Sequence, residues 1–236
     1  MKKIVFMGAK DIGLECLKIL NQKQDDGLLE IVGVLTNARG QAIKEYATQQ
    51  DLNILDSLDS FLELEDVDIT ISVQYHQILK AIHIEKSNEL AINLHMAPLP
   101  EYRGCNQFSF AISNGEPSFG TTIHMIDEGI DTGDILFERR FLIPEEYWVT
   151  DLYERTYKES VALFLDSIDK IVNCEVTPAK QNSFGKESAT HFYRRNDIAD
   201  IKKIELSWSK EKIERHIKAC SMPGFEPPYI LIDGRK

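Results

Sequence analysis

The chain has 236 residues, 43% of them hydrophobic and 28% charged, which fits a folded globular protein and not a disordered one. Its length is about one and a half typical domains, so one main domain with a smaller appendage is expected. With 38 acidic against 27 basic residues the net charge is −11, which excludes a broad nucleic-acid or anionic-membrane surface but leaves room for a local cationic pocket.

Met1 to Met7 carries a lysine pair and a short apolar run that stops at Gly8-Ala9-Lys10-Asp11. The run is too short for a secretory leader and reads as a buried first strand. Asp11 is expected to cap a helix bearing Ile12, Leu14, Leu17 and Leu20 at near-helical spacing. Leu28 to Leu35 predicts a second strand, Gln41 to Gln50 a helix, Ile54-Leu55 a brief extended piece, and Val67 to Val73 a third strand. A helix over Gln77 to Ile82 and a strand over Leu90 to His95 follow. This alternation predicts βαβ units, a Rossmann-like α/β fold with a mostly parallel sheet and a ligand beyond the carboxyl ends of its strands.

Gln107 to Ser113 predicts a further helix stopped by Asn114-Gly115, and Thr121 to Ile126 and Asp134 to Ile143 two more strands. Between those strands lies the polar loop Asp127 to Gly133. Asp151 to Val172 is the longest periodic helix, and Thr177 to Ala189 is polar and irregular. Residues 190 to 236 read as a small α+β module with a helix over Lys210 to Ala219 and a last strand over Tyr229 to Ile232. The expected division is a catalytic domain over 1–180 and a C-terminal module over 181–236. No apolar run approaches the roughly 20 residues that span a bilayer. Cys16, Cys105, Cys174 and Cys220 form no CxxC pair, so a zinc site is not expected and free thiols in a cytoplasmic protein are.

Three places carry candidate chemistry. The first turn, Gly8 to Gly13, is neither GxGxxG nor a P-loop; it reads as a tight βα turn or as an anion site to which Lys10 adds charge. Asn93 and His95 end a strand and share one face, because side chains alternate. A carboxamide can donate to a developing oxyanion and an imidazole can move a proton near neutral pH. The same pair would serve equally as core polar groups satisfied by backbone. The stiff loop Met96 to Gly104 that follows suits a ligand wall. Asp127, Asp131 and Asp134 each have the chemistry to orient a histidine, and spacing does not choose among them. His76, His83, His124, His191 and His216 are scattered and read as surface or packing residues.

The stretch Ala91-Ile-Asn93-Leu-His95-Met-Ala-Pro-Leu-Pro100-Glu-Tyr-Arg-Gly104, followed by Gly120-Thr-Thr-Ile-His124-Met-Ile-Asp-Glu-Gly129-Ile-Asp131-Thr-Gly133-Asp134-Ile135, resembles the formyltransferases that use N10-formyltetrahydrofolate. The resemblance covers about residues 1 to 175. It implies a catalytic trio of Asn93, His95 and Asp131, and no metal. It places the pterin against Gln77, Ile78 and Leu79 and the loop residues Asp127, Glu128, Gly129 and Ile130.

Pro98 to Phe110, with Ser207-Trp208-Ser209 and Pro223 to Tyr229, resembles the bacterial sugar-nucleotide branch. That implies a nucleotide-linked 4-amino-4,6-dideoxy sugar as acceptor, dTDP-4-amino-4,6-dideoxyglucose first, for O-antigen or related polysaccharide synthesis. Same-chemistry alternatives are a 3-amino sugar nucleotide, GDP-perosamine or a ribonucleotide amine; a non-catalytic binder of folate or sugar nucleotide is the alternative of another class. Lys10 and Arg103 are the expected diphosphate cations, with Tyr102, Asn106 and Phe225 toward sugar or base. The acidic charge and the short C-terminal module are expected to set the chain apart from tRNA-binding relatives. A homodimer through that module is the implied assembly.

Overall fold

The computed structural model describes residues 1–181 and 190–236. In chain order it contains β1 (Lys2–Gly8), α1 (Lys10–Asp25), β2 (Leu29–Leu35), α2 (Gln41–Gln49), α3 (Leu58–Leu62), β3 (Ile69–Val73), α4 (Ala81–Ile84), β4 (Leu90–His95), β5 (Tyr102–Gly104), α5 (Gln107–Asn114), β6 (Ser118–Met125), β7 (Ile135–Leu142), α6 (Val149–Val172), β8 (His191–Tyr193), α7 (Ile198–Lys202) and α8 (Lys210–Cys220).

Six strands form one sheet in the order β2-β1-β3-β4-β6-β7. The first four are parallel, and β6 and β7 are antiparallel to their neighbours. Alternation along β1 shows why the sheet is covered on both faces. Ile4 and Phe6 pack with Leu17, Leu20, Leu163, Phe164 and Ile168 of α1 and α6. Val5 and Met7 pack on the other side with Phe61, Val67 and Leu79. A parallel sheet buried on two faces needs such near-continuous apolar strands. In β4, Ile92 and Leu94 enter the α1/α6 core, so Asn93 and His95 belong to the opposite face.

Three expectations are corrected. Residues 77–80 are not helical; the chain runs as a loop from Gln74 and only Ala81–Ile84 forms a turn of helix. The cap expected at Asp11 is absent: α1 starts at Lys10, Ala9 takes the cap position with extended backbone, and no side chain caps the helix. Tyr229 to Ile232 is no strand. Tyr229 bridges Lys203 and Ile232 bridges Arg235, because Asp233-Gly234 reverses the chain at once. A short strand that the sequence pattern did not reveal, β8, pairs in parallel with β5.

The C-terminal segment lies on the main body. Ala219 and Cys220 of α8 share a buried cluster with Tyr102, Phe110, Phe119 and Leu152, and Tyr193 packs against it. All four cysteines are free. Among the described residues no helix is long and apolar enough to cross a membrane. Of the irregular stretch read over Thr177 to Ala189, residues 182–189 lie outside those described.

Candidate active site

The candidate site forms where the parallel half of the sheet meets the antiparallel half. β4 pairs with β3 on one side and β6 on the other, and its register sets Asn93 opposite His124 and His95 opposite Thr122. His95 is the last residue of β4, at the end where parallel sheets bind ligands.

His95 is 5% exposed, and its Nε2 lies 2.7 Å from the Tyr102 carbonyl oxygen. A carbonyl only accepts, so Nε2 carries the hydrogen and Nδ1 of the neutral ring is left with its lone pair. Nδ1 stands 3.7 Å from Asp131 Oδ1. A proton arriving on Nδ1 would meet a carboxylate. The other carboxylate oxygen, Oδ2, accepts the Gly104 backbone N–H at 2.9 Å. Asp131 itself sits at φ 54, and Gln181 Nε2 donates to the carbonyls of Asp131 and Gly133 at 2.9 and 2.8 Å. Gly133 is needed here: a Cβ would come within 1.9 Å of the Met125 carbonyl oxygen.

His124 completes the group. Its Nδ1 donates to the Met125 carbonyl at 2.7 Å, which leaves Nε2 to accept from Asn93 Nδ2 at 3.1 Å. That bond fixes which end of the Asn93 amide is NH2 and leaves its second N–H free to donate. Burial, then the neighbouring His95, push the His124 pKa down to about 4, so it is a neutral acceptor at physiological pH. His124 Nε2 is also 3.7 Å from Asp131 Oδ1. His124 was expected to be a packing residue; no period within β6 marks it out, and only the antiparallel register brings it beside Asn93. The other four histidines do lie on the surface or in packing: His76 and His191 are exposed, and His83 and His216 are buried against backbone groups.

Around this buried floor runs a polar rim. Lys10, at φ 61, donates to Gln74 Oε1 at 2.7 Å, and Gln74 is itself at φ 57. Burial, and then Arg39 and Arg195, hold the Lys10 pKa below the usual lysine range. Arg39 and Arg195 are thus near enough for their charges to act on Lys10, and Asn106, at φ 58, donates to the Arg195 carbonyl at 3.0 Å. Lys10, Gln74, Asn106 and Asp131 are all non-glycine residues in left-handed backbone. Such positions cost about 1 kcal/mol or more each and persist where surrounding structure enforces them. Arg39 and Arg195 were not legible in the sequence, since each comes from a chain segment distant from Lys10.

The other expected residues fall as follows. Arg103 lies on β5 with its Nε buried and without a hydrogen-bond partner among the described residues. The Tyr102 side chain is not available to a substrate: it is 2% exposed, with its hydroxyl donating to Glu116 at 2.7 Å and accepting from Asn114. Its contribution to the site is its carbonyl. Phe225 is exposed in the turn beyond α8, apart from the contacts that tie the cluster together. Ile78 and Ile130 are also exposed, each on a loop, while Leu79 is buried. Asp127 orders the second loop by accepting from Gly129 N–H and the Thr132 hydroxyl, and Glu128 is exposed on it.

The formyl transferase family model matches residues 39–168. A methionyl-tRNA formyltransferase of Clostridium novyi (strain NT) is 31% identical over 232 residues, with 91% of this chain and 71% of that protein covered. A GDP-perosamine N-formyltransferase of Brucella melitensis is 29% identical over 170 residues, covering 72% of this chain and 63% of that protein. In fold, the crystal structure of an N-formyltransferase from Helicobacter canadensis with folinic acid and dTDP-3-aminofucose superposes with a TM-score of 0.82 at 25% identity, covering 99% of this chain and 85% of that one. This chain belongs to the formyl transferase family and is an N-formyltransferase.

Proposed function

We propose that the protein transfers a formyl group from N10-formyltetrahydrofolate to the amine of a nucleotide-linked amino-deoxy sugar. The observation that carries this reading is the arrangement of Asn93, His95 and Asp131 at the end of β4, with a cation group at the neighbouring β1–α1 turn. A formyl donor needs an oxyanion donor and a proton acceptor side by side, and a sugar nucleotide needs cations for its diphosphate.

Each residue has one task. His95 takes the proton that the attacking amine gives up, on Nδ1, the ring nitrogen that Tyr102 leaves uncommitted. Asp131 faces that nitrogen and holds the charged ring. Asn93 turns its free N–H to the formyl oxygen as negative charge develops there. In balance, the amine nitrogen bonds to the formyl carbon, the carbon–N10 bond breaks, and His95 passes its proton on to the departing tetrahydrofolate. The pterin is assigned to the loops at Gln77–Leu79 and Asp127–Ile130. Both are non-helical loops, and each exposes an isoleucine, Ile78 or Ile130, as an apolar cover for its face.

Lys10, Arg39, Arg195 and Arg103 are assigned to the diphosphate. The acceptor favoured from sequence is dTDP-4-amino-4,6-dideoxyglucose, with a role in O-antigen or related polysaccharide synthesis. The dTDP-3-aminofucose in the Helicobacter canadensis structure supports a 3-amino acceptor as the second reading. We further assign residues 1–180 to catalysis and 181–236 to a module that pairs two copies in the cytoplasm, where Phe225, Leu231 and Ile232 are exposed. Mass spectrometry of a panel of 3- and 4-amino sugar nucleotides with N10-formyltetrahydrofolate tests the reading: one acceptor should gain 28 Da, and folate binding with no turnover on any amine would overturn it.

A further inference from the structure

The strand β5 is three residues long, yet it delivers two backbone groups to the candidate catalytic pair. The Tyr102 carbonyl receives His95 Nε2–H, and the Gly104 N–H donates to Asp131 Oδ2. These groups set the tautomer of the histidine and the aim of the carboxylate. Among the described residues the only strand that pairs with β5 is β8, across which Tyr102 faces His191 and Gly104 faces Tyr193. Cys105 N–H donates to the Tyr193 carbonyl at 2.8 Å, and His191 N–H to the Glu101 carbonyl at 3.2 Å.

Side chains strengthen the same junction. The Tyr193 ring stacks on Tyr102 at 5.7 Å between centroids and on Phe110 of α5 at 3.9 Å, nearly parallel in both cases. Asn114 Nδ2 donates to both tyrosine hydroxyls, at 3.1 and 3.2 Å. Gly104 has φ +89, and a Cβ there would lie 2.2 Å from the Tyr193 carbonyl oxygen, so the strands approach at a distance only glycine allows.

We propose that β8, and Tyr193 above all, is a positioning element for His95 and Asp131: it holds β5, and β5 fixes the histidine tautomer. Tyr193 makes no hydrogen bond to His95 or Asp131 among the described residues; it acts through Tyr102, on which it stacks, and Gly104, with which it pairs. The C-terminal segment thus has a part in the chemistry of the main sheet. The proposal rests on the catalytic reading of His95 and Asp131, but the tautomer can be read without turnover.

The experiment is NMR of the 15N-histidine-labelled full chain, wild type against Tyr193→Ala and Tyr193→Phe, with circular dichroism to establish folding. In wild type, His95 should show a protonated Nε2 and a bare Nδ1. Tyr193→Ala should mix the two tautomers and, on an accepted amine, lower kcat by on the order of a hundredfold while KM for the folate moves less than about twofold. Tyr193→Phe keeps the stack and should stay within about threefold of wild type on both counts. A folded Tyr193→Ala with unaltered His95 ring signals would overturn the proposal. If the wild type turns over no amine, the ring signals still decide. Should Tyr193→Ala fail to fold, native-state hydrogen exchange of the wild type decides: the Gly104 and Cys105 amides should open together, and a Gly104 amide still protected where Cys105 and His191 exchange would refute it.

Discussion

The floor of the candidate site and its rim are built on opposite plans. At the floor, His95, His124 and Asn93 sit on two strands of the central sheet, and their protein-facing groups are committed to backbone or to each other. At the rim, Lys10, Arg39 and Arg195 come from three separate segments, and burial, with the arginine charges adding to it, depresses the Lys10 pKa. A floor of this kind fixes protonation states and directions before any ligand arrives. A rim with convergent cations is a poor arrangement for the protein alone and a good one for an anion. The difference separates the group proposed to do the chemistry from the group proposed to select the acceptor, and mutations should separate them too.

The largest effect is expected at the floor. Asn93→Ala removes the proposed oxyanion donor and should lower kcat on the order of a hundredfold or more, with both KM values little changed. A pure KM effect, read by steady-state kinetics, would move Asn93 into the rim class. At the rim, Arg195→Ala, Arg103→Ala or Lys10→Ala should each raise KM for the sugar nucleotide about tenfold and leave KM for the folate near wild type. An equal effect on both substrates would break the comparison.

Stability should follow pH through His124. Its folded pKa of about 4 lies below the ordinary histidine value of 6.5, so between those values the unfolded chain binds more protons. The neutral, buried ring therefore contributes stability that is present above pH 6.5 and lost as pH falls toward 4, on the order of 3 kcal/mol in all. Thermal melts of wild type and His124→Gln should converge as pH is lowered through this window. The smallest effect is expected far from the site: Lys23→Ala breaks a surface ion pair with Asp169 and should cost less than about 1 kcal/mol in urea denaturation.

Much of the floor was readable from local pattern, and little of the rim was. That Asn93 and His95 share one face follows from period-two alternation at the end of an apolar strand, while their selection as a pair rested on the family resemblance; the parallel sheet follows from strands that alternate with helices. The choice among Asp127, Asp131 and Asp134 was not local. It depends on Gly104 and Gln181, which come from 27 and 50 residues away to bond Asp131. His124 was hidden for the same reason, since an antiparallel register is not written in either strand alone.

The misread segments are short or weakly patterned. Gln77 to Ile82 has apolar residues at helix-like spacing, but Ile78 and Ile82, one turn apart, are both exposed while Leu79 is buried. Tyr229 to Ile232 looks like a strand in composition and finds only single bridges. β8 is too short for any period to show, and its partner lies almost 90 residues earlier in the chain.

The central claim is that His95 is the proton acceptor for formyl transfer. Single-turnover rapid quench with N10-formyltetrahydrofolate and the accepted amino sugar nucleotide, wild type against His95→Ala, tests it most directly. The transfer step should slow on the order of a hundredfold or more, with folate affinity unchanged. Transfer by His95→Ala at the wild-type rate would contradict it.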